Sequence, residues 1–301
     1  MSILVDEKSR VCVQGITGRE GLVRTHLMKD YGTHVVAGVT PGKAGSEVHG
    51  VPVYDSMEEA WEKAGPIDIS VIFVPASLVK NAALEAIDGG VKLLVIVPDR
   101  VPIFDVLEVS RFAKGKGASF IGPNTLGLVS PGKAVLGMIG GRAERARDWF
   151  LPGNVGVSSR SGGMTSAISY FLTEAGLGQS TIIHVGGDAV VGLSHPEVVE
   201  RFEKDDQTEM VVLFGEIGTT QEERVADLIE CGKFTKPLIA YIGGKAAKSG
   251  TRFSHAGAIV EGTKGSYDSK VKRLKEVGVH LVESVSDIPQ VALNLKKGGT
   301  G

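Results

Sequence analysis

Apolar runs that alternate with amphipathic segments are the feature that most constrains the fold of this chain. Residues 69–75 (ISVIFVP), 92–98 (KLLVIVP) and 209–216 (EMVVLFGE) are almost wholly apolar, whereas residues 221–233 (QEERVADLIECGK) have helical periodicity. Continuous apolar strands joined by helices are typical of parallel sheets that are covered on both faces. The sequence therefore predicts an α/β protein.

The predicted strands fall into two series of five, separated by a long connection at residues 130–153. A chain of 301 residues can form two units that each bury a core. We therefore predict two doubly wound parallel sheets, one for each series. The expected boundaries are a first domain over residues 1–130, a linker over 131–152, a second domain over 153–295 and a tail over 296–301.

Composition narrows the classes of function. A net charge of −2 gives no reason to expect nucleic acid or an anionic membrane as a partner. No apolar run approaches the roughly 18 residues of a membrane span, and the first ten residues lack a signal-peptide pattern. We therefore expect a cytoplasmic protein, or the mature form of an organellar one. Cys12 and Cys231 stand in or beside apolar segments and are expected to be buried, reduced thiols.

The 41 glycines fall in clusters, and the first cluster follows a predicted strand. Gly15, Gly18 and Gly21 lead from that strand into a helical segment. A turn of this kind directs free N–H groups and the positive end of a helix towards phosphate. The spacing has one more residue between the first two glycines than the dinucleotide fingerprint, and a turn that only closes the unit would fit as well.

The residue that follows the second strand indicates which class of nucleotide could bind. An NAD site needs a carboxylate there to hold the ribose hydroxyls, whereas this chain has Lys43 in AGVTPGKAG at residues 37–45. A lysine favours a phosphorylated ribose, as in NADP or coenzyme A. The fourth strand ends in VPD at residues 97–99, at the edge of the sheet where ligands of such folds bind.

Polar and glycine-rich segments also end the strands of the second series. The segment SSRSGG at residues 158–163 precedes a helix, whose N-terminus can hold a phosphate or a carboxylate; a serine cap is the structural alternative. Asp188 follows the next strand. Glu216 ends an almost wholly apolar strand, where a carboxylate is costly unless it is paired, so we predict a functional role for it.

A single histidine, His255, lies after the fourth strand of this series in FSHAGAIVEG, residues 253–262. Its neighbours are small, and several lysines and an arginine lie nearby in the sequence. A solvated loop histidine would fit this pattern too. Glu216 could orient one nitrogen of the ring, and the combination indicates a nucleophilic histidine.

Taken together, these motifs resemble the α subunit of succinate–CoA ligase (NDP-forming), from residue 1 to about residue 295. The segments that carry the resemblance are QGITGREG, GVTPGKAG, GVPVYDS, IGPNTLG, SRSGG, VGGD, FEKDDQTE, GEIG and HAGAIV followed by KG. The resemblance implies a Rossmann-type CoA-binding domain, followed by a flavodoxin-like ligase domain with a phosphohistidine loop.

The resemblance also implies the roles of individual residues. The phosphorylated histidine falls on His255, and the glutamate that supports it falls on Glu216. No metal site is implied in this chain. The implied CoA contacts are Thr17, Gly18, Arg19, Glu20, Lys43, Val97, Pro98 and Asp99. The implied phosphate and substrate contacts are Ser159, Arg160, Ser161, Gly162, Gly163 and Ser166.

The implied reaction has two covalent intermediates. ATP or GTP phosphorylates His255, the phosphoryl group passes to a carboxylate, and the CoA thiol then displaces phosphate from the acyl phosphate. A β subunit with an ATP-grasp domain would bind most of the nucleotide and the Mg²⁺, in an αβ or α₂β₂ assembly. The remaining expected partner is a small carboxylic acid, with no nucleic acid and no membrane.

The sequence departs from the family pattern around the expected acid site. Succinate–CoA ligases typically read SRSGTLTYE, whereas this chain reads SRSGGMTSA, with Ser166 and Ala167 in place of a tyrosine and a glutamate. The form SRSGGM resembles ATP-citrate lyase and citryl-CoA synthetase. The loss of two bulky side chains would suit a larger acid such as citrate, so succinate and citrate both stay open. Leu126 in PNTLG, GGDA and GEIGT are further departures.

Two other classes of protein compete with the ligase. A non-catalytic CoA-binding sensor or scaffold would use the first domain, but it would need neither His255 nor Glu216. An NADP-dependent reductase conflicts with the glycine spacing and lacks recognisable residues for hydride transfer. The prediction is therefore an α-type subunit of an acid–CoA ligase.

Overall fold

The computed structural model describes residues 2–246, residues 258 and 260, and residues 265–298. It contains two seven-stranded sheets with helices between most of the parallel strands. The first sheet is built from β1 (Val11–Gln14), β2 (Val35–Val39), β3 (Glu47–Val48), β4 (Val51–Tyr54), β5 (Ile69–Ile72), β6 (Leu93–Ile96) and β7 (Ser119–Ile121), with helices α1 (Arg19–Tyr31), α2 (Met57–Ala64), α3 (Val79–Asp88) and α4 (Ile103–Lys116).

The second sheet is built from described residues that follow the first sheet in the chain. Its strands are β8 (Gly127–Ser130), β9 (Ala134–Gly137), β10 (Pro152–Ser159), β11 (Gln179–His184), β12 (Met210–Glu216), β13 (Leu238–Gly243) and β14 (His280–Leu281). The helices of this part are α5 (Ala143–Trp149), α6 (Gly162–Glu174), α7 (His195–Glu203), α8 (Gln221–Glu230), α9 (Tyr267–Glu276) and α10 (Ile288–Gly298).

The strand order of the first sheet is β3-β4-β2-β1-β5-β6-β7. All neighbours are parallel except β3 and β4, which form an antiparallel pair at one edge. The parallel strands follow the order of a dinucleotide-binding fold, in which the chain reverses its direction of winding between β1 and β5. Ligands of such sheets bind at the carboxyl ends of the strands beside this reversal.

The second sheet has the order β14-β13-β12-β10-β11-β8-β9. Strands β10 to β14 are parallel and have the flavodoxin-like order, with the reversal between β10 and β12. Strands β8 and β9 form an antiparallel hairpin beside β11. The prediction of two doubly wound sheets is confirmed, with an antiparallel addition to each.

The hairpin lies in a part of the chain that was not expected to belong to the second sheet. Strand β8 falls at the end of the predicted first domain, and the predicted linker, residues 131–152, contains β9 and α5. The two strands lie on either side of Pro131 and Gly132, a turn signal, in a segment that was interpreted as a connection. The second sheet thus takes strands from residue 127 onwards, whereas the division into domains stays a prediction.

The two sheets share a core. One cluster of buried side chains contains Val13 and Val95 of the first sheet together with Ile183 and Leu213 of the second. A hydrogen bond also joins the first part to the hairpin, because the Thr33 hydroxyl donates to the carbonyl of Val135 at 2.8 Å. Motion of one sheet against the other would therefore disrupt buried contacts.

The two cysteines differ in their exposure. Cys12 is buried as expected, but the prediction for Cys231 was wrong, since its thiol is exposed after the last turn of α8. Within the described ranges, no helix has the length and apolar character needed to cross a bilayer.

Candidate active site

The loop after β1 depends on glycine. Gly15 has φ +79°, a left-handed conformation that favours glycine. A Cβ on Gly21 would lie 2.2 Å from the carbonyl oxygen of Gly15, so only glycine lets the first turn of α1 approach the loop this closely. Gly18 is the N-cap of α1, and it has no side chain to occupy the first amides of the helix. The loop therefore leaves the positive end of α1 open to an anion.

The predicted CoA contacts all follow strands of the first sheet. Thr17, Gly18, Arg19 and Glu20 surround the start of α1, and Lys43 lies in the loop after β2. That loop is fixed by Asp55, whose Oδ1 accepts the N–H groups of Lys43 and Ala44 at 2.9 Å each. The Lys43 side chain itself is exposed. Val97, Pro98 and Asp99 follow β6, so the structure brings these predicted residues to one sheet edge.

A buried ion pair lies at the corresponding edge of the second sheet. Arg160 follows β10 and is 1% exposed, and Glu216 ends β12 and is 3% exposed. The Nε atom of Arg160 donates to Oε1 of Glu216 at 3.3 Å, and its Nη1 donates to the carbonyl of Asp188 at 3.3 Å. Each charge offsets the desolvation of the other, which explains how an apolar strand can end in a carboxylate.

This arrangement changes the interpretation of Arg160. Its guanidinium contacts Glu216 and the carbonyls of Gly187 and Asp188, so it lies behind the surface of the predicted phosphate site. Direct binding of phosphate by Arg160 stays a prediction. The described contacts instead give it the role of holding the carboxylate of Glu216.

Glu222 and Lys270 extend the ion pair, and sequence analysis did not single out either residue. Glu222 Oε1 accepts the backbone N–H of Glu216 at 3.0 Å, and the ammonium group of Lys270 donates to Glu222 Oε2. Both side chains are fully buried. Glu222 shares the apolar face of α8 with Val225 and Ala226, and this charged residue on a buried helical face was the available signal.

Two further histidines lie beneath this edge, and both are neutral. Nδ1 of His184 accepts the N–H of Leu126 at 2.8 Å, and Nε2 therefore donates to the carbonyl of Arg160 at 2.9 Å. His195 is fully buried, with Nδ1 at 2.8 Å from the hydroxyl of Ser158. Burial, followed by the charges of Arg160 and Lys270, lowers the pKa of His195 to about 3. His195 is therefore uncharged at neutral pH.

The turn before α6 leaves the start of the helix without a side-chain cap among the described residues. Ser159 holds it, because its Oγ accepts the N–H of Ser161 at 3.2 Å and donates to the carbonyl of Ser161 at 3.0 Å. Ser161 is the N-cap, and its side chain makes no capping hydrogen bond within the described part of the chain. The first amides of α6 are thus not occupied by that side chain, as an anion site requires.

The two glycines of this turn are in different surroundings. A Cβ on Gly162 would lie 2.6 Å from the side chain of Leu126, so the helix start packs tightly there. At Gly163 a Cβ would meet no heavy atom of the described residues within 4 Å, apart from the immediate chain neighbours and the helix itself. Gly163 is exposed and Ser166 is half-buried, so the first turn of α6 borders open space.

Asp188 connects the two edges. The side-chain amide of Asn124 donates to its Oδ1 at 3.1 Å, and the N–H of Asn124 donates to the carbonyl of Pro98 at 2.8 Å. Burial, and then the negative charge of Asp99, raises the pKa of Asp188. Asp99 is a predicted CoA contact, so the two candidate sites are neighbours.

His255 lies outside the described residues. The nearest described residues after it, Ala258 and Val260, are buried against Ile217. Ile217 directly follows Glu216, so the chain returns to the end of β12 shortly after His255.

The comparisons with known proteins agree with this arrangement. Residues 6–99 match the family described as CoA binding domain, and residues 158–280 match the family described as CoA-ligase. The chain is 45% identical over 295 residues to the succinate–CoA ligase [ADP-forming] subunit alpha 2 of Archaeoglobus fulgidus, covering 98% of this chain and 100% of that protein. The chain belongs to the succinate–CoA ligase α-subunit family.

Other relatives of this α-type subunit differ in the acid that they are named for. The ADP-forming sulfoacetate–CoA ligase subunit of an Acholeplasma species is 42% identical, with 94% of each chain covered. ATP citrate lyase from Methanothrix soehngenii, solved with citrate and coenzyme A, has the same fold, with a TM-score of 0.90 at 22% identity over 98% of this chain. The present chain spans 52% of that lyase chain.

Family membership confirms the predicted class of enzyme. The chain is an α-type subunit of an NDP-forming acid–CoA ligase, and it contains the CoA-binding and CoA-ligase domains of that class. As an α subunit it implies a β-subunit partner.

Proposed function

We propose that this chain is the catalytic α subunit of an ADP-forming acid–CoA ligase, in which His255 carries the phosphoryl group and Glu216 supports it. The observation that carries the proposal is the position of Glu216. Its buried carboxylate is paired with Arg160, and Ile217 beside it contacts Ala258. His255 is three positions before Ala258 in the sequence, so their Cα atoms are at most about 11 Å apart, a distance compatible with a contact at this edge.

Glu216 would act on the ring of His255 rather than on the acid. A carboxylate that accepts a hydrogen bond from one imidazole nitrogen orients the ring and leaves the other nitrogen free to attack phosphorus. Arg160 donates to Oε1 of Glu216 through its Nε atom, so the carboxylate has a fixed orientation. The uncapped start of α6, from Ser161 to Gly163, would receive the phosphoryl group beside it.

The first sheet edge fits coenzyme A. The glycine loop before α1 would hold the diphosphate, and the exposed Lys43 would contact the phosphorylated ribose. Val97, Pro98 and Asp99 lie on the side of this edge that contacts the second sheet through Asn124. When bound, CoA supplies the thiol that displaces phosphate from the acyl phosphate.

The nucleotide and Mg²⁺ are assigned to the partner. Among the described residues, no group of three or more histidine, cysteine or acidic side chains is placed to hold a metal ion. A β subunit with an ATP-grasp domain would bind ATP, or GTP, in an αβ or α₂β₂ complex. We place this complex in the cytoplasm or an organellar matrix.

Two acids are candidates for the substrate. Succinate is favoured because subunits of succinate–CoA ligases are 40–45% identical to this chain over nearly its whole length. Citrate is favoured by the open space at Gly163 and by the small side chain of Ser166 in the next turn. Relative kcat/KM values for succinate, malate and citrate, measured on one preparation, decide between them.

The test of the proposal uses the chain assembled with its β partner, together with ATP, Mg²⁺, CoA and a panel of acids. We expect thioester formation with at least one acid, and its loss in His255→Asn. His280→Asn is the matched control, because His280 is an exposed histidine on β14. Full activity of His255→Asn would overturn the proposed role of His255. CoA binding without thioester formation from any acid would support the non-catalytic CoA-binding alternative instead.

A further inference from the structure

We propose that Lys270 and Glu222 are positioning residues, which fix Glu216 and the chain that follows His255 in one geometry. The inference rests on the proposed role of Glu216 and concerns residues that do not line the phosphate site. Both side chains are 0% exposed, although lysine and glutamate are seldom fully buried in proteins.

Glu222 acts on the backbone of Glu216. Its Oε1 accepts the N–H of Glu216 at 3.0 Å, at the last residue of β12. Gly215 permits this approach, since a Cβ there would lie 2.4 Å from the same oxygen. Arg160 holds the side chain of Glu216, so the two contacts together fix both the backbone and the carboxylate.

Lys270 holds Glu222 in place and uses its whole donor capacity. An ammonium group has three N–H donors. Lys270 donates to Glu222 Oε2, to Glu223 Oε2 at 2.9 Å and to the carbonyl of Thr219 at 2.8 Å. The three acceptors lie in α8 and in the loop before it, so a single side chain of α9 determines their relative positions.

The same contacts reach the chain after His255. Glu223 Oε1 accepts the N–H of Gly265 at 3.3 Å, and the carbonyl of Gly265 accepts the N–H of Gly218 at 2.9 Å. Gly265 has φ +71°, and a Cβ on it would lie 2.5 Å from the carbonyl oxygen of Gly218. Gly265 is ten residues beyond His255 in the sequence. Through Glu222 and Glu223, Lys270 thus connects the backbone of Glu216 with Gly265, in the chain that follows His255.

Charge explains why a lysine is needed at this position. Arg160 and Lys270 face the carboxylates of Glu216, Glu222 and Glu223. Without Lys270, Glu222 would be a buried carboxylate with no cation, close to the backbone of Glu216. Such a group destabilises the fold, whereas replacing both members of a buried pair by apolar residues is often neutral. Paired substitutions are therefore the informative ones.

The experiment compares double variants in complex with the β partner. Lys270→Met with Glu222→Leu removes both charges and the acceptor for the Glu216 N–H. Lys270→Met with Glu222→Gln removes the charges but keeps an acceptor oxygen. The measurements are the single-turnover rate of His255 phosphorylation by ATP, the KM for CoA and the thermal melting temperature. We expect the Met/Leu variant to slow phosphorylation by about a hundredfold and the Met/Gln variant by about tenfold, with KM for CoA unchanged.

Arg273→Met is the control on the same pair of helices. Arg273 also joins α9 to α8, through Asp227 and Glu230, but its partners lie on the surface and do not contact Glu216. The rate of His255 phosphorylation in Arg273→Met should equal that of the wild type. Wild-type rates in both double variants, or an equal loss in Arg273→Met, would overturn the positioning role. Glu216→Gln separates the two proposals, because a full rate in that variant would refute the role of Glu216 itself.

Discussion

The two sheet edges meet similar chemical demands in opposite ways. At the first edge the charged groups are exposed, and glycines shape the backbone around the open start of α1. At the second edge Arg160, Glu216, Glu222 and Lys270 are buried and bonded to one another. An exposed edge can bind and release a large anionic ligand with little reorganisation. A closed ionic network instead holds one carboxylate in a fixed position, as a phosphoryl carrier needs.

The comparison predicts that substitutions of the buried polar and charged side chains at the second edge reduce stability, whereas substitutions of the exposed charged side chains at the first edge reduce affinity. The largest effect is expected for Arg160→Met, which leaves the buried carboxylate of Glu216 without its cation. We expect a loss of about 3–5 kcal/mol in the free energy of unfolding. Urea denaturation measures it, with Lys43→Met as the control, which should change by less than about 0.5 kcal/mol. Equal losses in the two variants would contradict the comparison.

The pH dependence of stability should also come from the second edge. The pKa of His195 falls from 6.5 to about 3 on folding, so the folded protein excludes a proton that the unfolded chain takes up. Stability is therefore complete above about pH 6.5 and is lost as the pH falls towards 3, by up to about 1.4 kcal/mol per pH unit. Urea denaturation between about pH 4.5 and 7.5 measures how the free energy of unfolding depends on pH. His195→Gln should make this dependence weaker. His280→Gln, a change at an exposed histidine, should leave the dependence as it is.

Affinity is the property that should change at the first edge. Removing the exposed cation in Lys43→Ala should weaken CoA binding about tenfold, with no change in melting temperature. Titration calorimetry measures this, and the difference should shrink as salt is added. Dephospho-CoA, which lacks the ribose phosphate, should bind both proteins equally. If the tenfold difference between the wild type and Lys43→Ala persists with dephospho-CoA, Lys43 contacts a part of CoA other than the ribose phosphate.

Glycine substitutions in the first turns of α1 and α6 compare the backbones of the two edges. Gly163→Ala adds a methyl group to open space and should stabilise the protein by up to about 1 kcal/mol. Gly21→Ala should destabilise it by about 1–3 kcal/mol, because the added Cβ meets the carbonyl of Gly15. Thermal melting compares the two. A stabilised Gly21→Ala variant would show that the first loop is less constrained than its backbone indicates.

Much of this organisation could be predicted from the sequence. Apolar runs identified the central strands of both sheets, since strands buried on two faces leave a strong pattern. Glu216 was recognised because a carboxylate at the end of such a strand needs a partner. Strands β8 and β9 were missed, because Pro131 and Gly132 between them are typical of an irregular connection.

The partners within the site were harder to predict than the site itself. The assignment of Arg160 to phosphate stays a prediction, whereas its contacts with Glu216 and the carbonyl of Asp188 were not predicted. Lys270 was not recognised, because a lysine on a helix is normally exposed and its burial depends on two glutamates of another helix. Hydrophobic periodicity in the sequence describes one helix or strand at a time. The ion pairs of Arg160 and Lys270 depend on how several helices and strands pack together.

The hairpin of β8 and β9 has a consequence for how the protein is made. A ribosome completes these two strands before it has synthesised β11, the strand beside which they finally lie. Thr33, at the end of α1, is already available by then, and its hydroxyl both donates to the carbonyl of Val135 and accepts the N–H of the same residue. The nascent N-terminal half can therefore hold the hairpin while the remainder of its sheet is translated.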